Sequence, residues 1–119
     1  MQTSNFARSA NDPNAVAISQ GIPRWYKGRR YPRLAPSWEL IRIEEKELFT
    51  ALYRKNVLDK LDPQEVYADL GEDAVLLCWE SPGKFCHRRI VAEWLEKALK
   101  ITIPEKIQIN APTGQGLIL

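Results

Sequence analysis

The chain has 119 residues, of which 45% are apolar and 27% charged, and a formal net charge of +2. This length suits one domain with a real core, and so small a net charge makes no global case for nucleic acid. No run approaches the roughly 18–20 apolar residues of a membrane helix, so no membrane partner is expected.

Residues 1–14 read as a polar N-terminal segment ending in the turn Asn11-Asp12-Pro13-Asn14. They lack the apolar core of a signal peptide. Two cysteines without an export signal point to a reducing, cytoplasmic setting, where a Cys78–Cys86 disulfide would be transient or redox-linked. The apolar, partly β-branched run Ala15-Val16-Ala17-Ile18-Ser19 predicts the first buried strand. Residues 20–37 form a long connector with Pro23, Pro32 and Pro36. Its length marks it as functional or disordered, and Trp25, Tyr26 and Tyr31 argue against disorder.

A helix is expected over 44–61, with Leu48, Phe49, Leu52, Tyr53 and Val57 as its apolar stripe. Asp62-Pro63-Gln64-Glu65 supplies an N-cap, a proline at the first helical position and a glutamate placed to cap in return; Gly71 ends that helix. Residues 74–78 form a continuous apolar run, as in a strand covered on both faces. The helix over 86–100 carries Ile90, Val91, Trp94, Leu95, Ala98 and Leu99 at helical spacing, with Glu93 expected to pair with Arg89 and Lys97. Residues 101–103 suggest a third strand, and Ile107-Gln108-Ile109 an edge strand in the tail.

All the histidine and cysteine of the protein lies between Cys78 and His87, where a strand ends, a Pro-Gly loop follows and a helix begins. In an open α/β sheet, ligands bind outside the carboxyl ends of strands, where helix N-termini also gather. Cys86 and His87 fall on the sheet side of the helix and are candidate catalytic groups, with the helix N-terminus favouring a thiolate at Cys86. Arg88 falls outside the apolar stripe and is expected to be a forked anion contact, with Cys78 and Glu80 beside it. The duller readings are a buried hydrophobe at Cys78, a structural hydrogen-bonded His87 and a solvated Arg88. A metal set from Cys78, Glu80, Cys86 and His87 is disfavoured because its spacing matches no common zinc pattern, so no metal or cofactor is expected. The spacing from Cys78 to Arg88 is also too long for the tight anion cradle of a cysteine phosphatase.

In the connector, Arg24, Lys27, Arg29, Arg30 and Arg33 interleave with Trp25, Tyr26 and Tyr31, without an acidic residue. Guanidinium groups beside flat rings suit phosphates and stacked bases; the alternative is an ordered loop whose rings cover the sheet.

Leu76-Leu77-Cys78-Trp79-Glu80, Phe85-Cys86-His87-Arg88 and Val91-Ala92-Glu93-Trp94-Leu95 together resemble the signature of the domain-of-unknown-function 488 family. Ala17-Ile18-Ser19, Leu34-Ala35-Pro36 and residues 53–61 are similar to its short branch, found in bacteria and phages. The resemblance spans about residues 15–104 and implies a compact three-layer α/β domain, often encoded near nucleic-acid-processing or mobile-element genes, without an established reaction.

The expected architecture is a single α/β domain over 15–104, with a small, mostly parallel, Rossmann-like sheet flanked by helices, and a tail over 105–119. The leading functional reading is a domain that binds a phosphorylated small molecule or nucleic-acid end between the Cys-His-Arg helix start and the connector. A cysteine/histidine-dependent enzyme acting on such a ligand is the alternative. A third is a phage- or mobile-element-encoded modulator whose basic loop meets a protein partner.

Overall fold

The computed structural model describes residues 1–80 and 85–106. The Pro82-Gly83 loop and the edge strand expected in the tail lie outside them. The described residues form a four-stranded, all-parallel sheet: β1 (Gln2–Asn5), β2 (Ala15–Ala17), β3 (Arg29–Arg30) and β4 (Val75–Cys78), in the order β1-β4-β2-β3. Five helices flank it: α1 (Phe6–Ser9), α2 (Trp38–Ile41), α3 (Lys46–Asn56), α4 (Pro63–Leu70) and α5 (His87–Leu99).

The alternation of side chains along β2 and β4 divides the core into two layers. Val16, Ile18 and Leu76 face a large cluster that includes Phe49 and Tyr53 of α3, Val66 and Leu70 of α4, and Val91 and Leu95 of α5. Ala15, Ala17, Val75 and Leu77 face a smaller cluster closed by Phe6 and Tyr26. Both faces are therefore covered, which is why β4 reads as an unbroken apolar run. Asp62 caps α4 by accepting from the Gln64 N–H at 3.0 Å. Glu65 meets Arg33 at 3.6 Å, and Gly71, with φ of +92°, ends the helix in a backbone conformation that side chains resist.

Three expectations change. The polar N-terminal segment contains β1, a buried strand paired along β4 from Gln2↔Val75 to Asn5↔Cys78. Its three buried side chains are small and polar but internally satisfied: Ser4 meets Ser9 at 2.7 Å, Thr3 donates to Glu105 at 2.6 Å, and Asn5 accepts from the Arg8 N–H at 3.0 Å. A strand buried this way shows no apolar alternation. Residues 101–103 are not a strand, because side chains take the backbone groups of Ile103: Glu96 accepts its N–H and Arg89 donates to its carbonyl, both at 2.8 Å. Edge pairing falls instead at Glu105, which bridges Thr3 in parallel. Finally, Leu48 projects from α3 as an exposed residue, leaving Phe49 and Tyr53 as that helix's buried anchors. Among the described residues, no helix is long and apolar enough to cross a membrane.

Leu76 is fully buried in a central strand. Leu76→Ala is expected to cost about 2–5 kcal/mol in urea unfolding, whereas Trp25→Ala, at an exposed ring, should change stability by about 0.5 kcal/mol or less.

Candidate functional site

β4 and β2 are neighbours in the sheet, so their carboxyl ends open at one rim. Ser19, Gln20 and Gly21 leave β2 there, and Cys78, Trp79 and Glu80 leave β4. With Cys86 and His87 at the start of α5 they line a cleft of about 400 Å³. Its other walls are Pro36, Trp38, Ile41, Ile43, Phe49 and Phe85. Trp79 is fixed by donating its indole N–H to the Gly21 carbonyl at 2.9 Å. Phe85 stands edge-on to Phe49, with centroids 5.6 Å apart, and carries the Lys46 ammonium 5.8 Å from its own centroid.

The floor holds three groups of metal-ligating type. The Sγ atoms of Cys78 and Cys86 are in bonding contact, and a ring nitrogen of His87 completes a set whose ligating atoms all lie within 4.8 Å of one another. The Cα atoms of the two cysteines are 7.1 Å apart, just beyond the usual disulfide span of about 4.4–6.8 Å. His87 Nε2 lies 2.7 Å from the Ile18 carbonyl. A carbonyl only accepts, so Nε2 carries the proton and Nδ1 is left with a lone pair, 3.9 Å from Cys86 Sγ. Burial, with a smaller contribution from the Arg88 charge, lowers the imidazole pKa to about 4 against the opposing effect of the Ile18 bond. The ring is thus neutral near pH 7. Tyr53 packs edge-on against it, with centroids 5.4 Å apart. Burial pushes the Tyr53 hydroxyl pKa upward, and that hydroxyl donates to the Leu34 carbonyl.

Arg88 does not lie on the solvent side of α5; among the described residues it is the largest fully buried side chain, 1% exposed. Its Nε and Nη2 form a fork on Glu105, at 3.0 and 2.7 Å, and Nη1 donates to Cys78 Sγ at 3.0 Å and to the Glu80 carbonyl at 2.8 Å. Four of its five donors are therefore engaged. Helical phase misplaces Arg88 because an arginine whose charge is fully paired is accommodated in the core. Arg89 also departs from expectation: it donates to Thr3 Oγ1 and the Ile103 carbonyl, both at 2.8 Å, while Glu93 pairs with Arg54 of α3 at 3.2 Å. Glu80 reaches Arg88 through its backbone oxygen.

A family model described as the active DUF488-N3 subclade matches residues 8–99, which include every residue of this floor. The chain belongs to the DUF488 family. No curated protein and no solved structure matches it.

The connector of this DUF488 domain sends only its two ends to the cleft, at Gln20–Gly21 and Pro36. Arg24, Trp25, Tyr26, Arg29, Arg30 and Tyr31 are not among the lining residues. Tyr26 is buried against Phe6 and donates to the Arg29 carbonyl. Arg29 donates to the Leu70 and Asp69 carbonyls, closing the C-terminus of α4, and Tyr31 and Arg33 engage Asp69. Arg30 reaches the Gln20 carbonyl at 3.4 Å, and Trp25 is exposed. Much of the basic-aromatic segment therefore fastens one helix to the sheet edge. The residues that sequence reasoning passed over are the aromatic walls and Glu105. Trp79 and Phe85 sit beside the two cysteines and were legible as neighbours. Trp38 and Glu105 carried no local signal.

Arg88→Ala would leave Glu105 without its main counter-ion and Cys78 without its donor. It is expected to destabilise the fold by about 3 kcal/mol or more in denaturant titration, as breaking a buried ion pair does. Burial raises the Glu105 pKa, but hydrogen bonds from Arg88 and Thr3 outweigh it and hold the carboxyl below its ordinary range. A carboxyl with a depressed folded pKa stabilises the fold above its unfolded value. Stability should therefore decline as pH falls below about 4.5 toward the lower folded value, and this part of the decline should be absent in Glu105→Gln. Thermal melts of both proteins across this range check it.

Proposed function

We propose that this DUF488 domain is a cysteine/histidine-dependent enzyme that takes a flat heteroaromatic group, the base of a nucleotide or of a nucleic acid, into the cleft. The observation that carries this reading is the aromatic rim. Trp38, Trp79 and Phe85 are 60%, 53% and 38% exposed, and all three line the same cleft. Large apolar side chains left open around a concavity mark a surface that something covers. Base–aromatic stacking suits such walls and is worth about 1–3 kcal/mol per base. The floor favours an enzyme over a passive binding module. Once the Cys78–Cys86 sulfur pair is reduced, two thiols and an imidazole with a defined free lone pair meet where the bound ring would rest, and such groups are the usual agents of nucleophilic and acid–base chemistry. The description of the matching family model as an active subclade agrees with this. A reducing cytoplasmic setting fits too, because it keeps both cysteines available as thiols.

A phosphate held mainly by Arg88 is the weaker reading, because that guanidinium already donates to Glu105, Cys78 and Glu80. Recognition then rests on the ring, with the phosphates outside the apolar cleft.

Titration of the reduced protein with AMP, GMP, CMP, UMP and short single-stranded oligonucleotides tests this by tryptophan fluorescence. At least one probe should quench the signal. Trp38→Ala or Trp79→Ala should weaken that binding by roughly 5- to 150-fold, the equivalent of one stacking contact, while Trp25→Ala leaves it unchanged. Quenching by none of these probes, or equal losses from all three variants, would overturn the base-binding reading.

A further inference from the structure

The geometry points to a soft divalent metal site, of the zinc type, formed by Cys78 Sγ, Cys86 Sγ and His87 Nδ1, with its fourth coordination position open to the aromatic cleft. The three ligating atoms lie within 4.8 Å of one another, and reduction of the bonded Cys78–Cys86 pair frees both sulfurs to part around an ion. At tetrahedral angles, zinc–sulfur and zinc–nitrogen bonds place sulfur and nitrogen about 3.6 Å apart and two sulfurs about 3.8 Å apart. The Cys86 Sγ to His87 Nδ1 distance is 3.9 Å, close to that value. The 7.1 Å separation of the cysteine Cα atoms lies past the usual disulfide span and leaves room for two sulfurs facing a shared ion.

The surroundings have the form of an outer coordination shell. A ligating histidine typically donates its other ring N–H to a carbonyl or carboxylate, which fixes the tautomer and aims the free nitrogen. His87 does this at 2.7 Å to the Ile18 carbonyl. A metal thiolate needs its sulfur deprotonated, and Arg88 Nη1 donates to Cys78 Sγ at 3.0 Å. Cys86 stands at the N-cap of the 13-residue helix α5 with no side-chain capping bond, at the positive end of that helix. Two thiolates and a neutral imidazole form a known catalytic zinc set, in which a fourth position is kept for water or substrate. All three ligands line the cleft, so that position faces the space beside Trp38 and Trp79. Sequence spacing set a metal at these residues aside because it matches no common zinc pattern; the set is assembled from the end of one strand and the start of the next helix.

The test uses the reduced full-length protein and the metal ions alone. Equilibrium dialysis against Zn²⁺ or Co²⁺ should load about one ion per chain. The cobalt form should show intense tetrahedral absorption with thiolate-to-metal charge-transfer bands. Imidazole added as a small neutral ligand should shift that spectrum through the open position. X-ray absorption of the zinc form should give two sulfur and two lighter ligands. Cys78→Ser, Cys86→Ser and His87→Gln should each weaken binding by roughly a hundredfold or more. If these variants fail to fold, the wild-type chain still decides the matter, because Zn²⁺ should slow alkylation of both cysteines at least tenfold. A loading far below one ion, a cobalt spectrum without thiolate bands, or alkylation rates unchanged by zinc would overturn the site. These readouts do not depend on nucleotide binding, and the tryptophan titration does not depend on metal, so either reading can fail alone.

Discussion

The arrangement turns on one buried cation. Arg88 is 1% exposed, and a charge so deep is tolerated only when its donors are matched. Those partners come from distant parts of the chain: Glu105 beyond the last helix, Cys78 at the end of β4, and the Glu80 carbonyl in the loop that follows. Thr3 of β1 shares the Glu105 carboxylate and accepts a hydrogen bond from Arg89. One guanidinium and its carboxylate thus fix α5, β4, β1 and the segment at residue 105 against each other. A buried ion pair adds little net stability compared with a well-packed apolar replacement. What this pair supplies is position, because it sets the first turn of α5, and hence Cys86 and His87, opposite the end of β4.

The rest of the site follows from the two-sided burial of the sheet. Because β2 and β4 are covered on both faces, the backbone at their carboxyl ends is where polar chemistry meets solvent. Ile18, just past β2, offers its carbonyl to His87. Tyr53, anchored to the Leu34 carbonyl, closes the far side of the ring. The imidazole is thereby held neutral with a single tautomer, the state in which histidine serves as an acceptor or a ligand. The polar N-terminal segment becomes intelligible in the same terms. β1 supplies Thr3 to the carboxylate that balances Arg88, and an apolar strand at that edge would leave Glu105 with one donor fewer.

Much of this was legible in the chain. The apolar runs at Ala15–Ala17 and Val75–Cys78, the Asp62–Pro63 helix start and the α5 stripe each carry their own local code. The coincidence of Cys78, Cys86 and His87 followed from strand and helix ends sharing a rim. What stayed hidden depends on partners far along the sequence. Helical phase placed Arg88 in solvent because phase knows nothing of Glu105. The connector left a nucleic-acid surface and an ordered covering loop both open, because Arg29 and Arg33 look free until α4 is folded beside them. β1 was silent because strands stabilised by Thr3, Ser4 and Glu105 do not alternate in hydrophobicity.

The same geometry lets the cleft be apolar at its walls while its floor carries sulfur and imidazole. Thiolates need positive charge nearby, and cations placed inside a cleft would attract anions from solvent and widen what it binds. Here the positive charge approaches Cys78 from behind, and Arg88 is neutralised on its far side by Glu105. The sulfur pair shares its cleft with Trp38, Trp79 and Phe85. On the proposed reading, such a site would select a neutral, flat group by stacking and leave charged phosphates outside, since they lose too much hydration on entering. The family match ends at residue 99, short of Glu105, although the carboxylate there completes the electrostatics of matched residues. The counter-ion and the edge strand that supports it are thus the part of the design that a reading confined to the matched stretch would leave out.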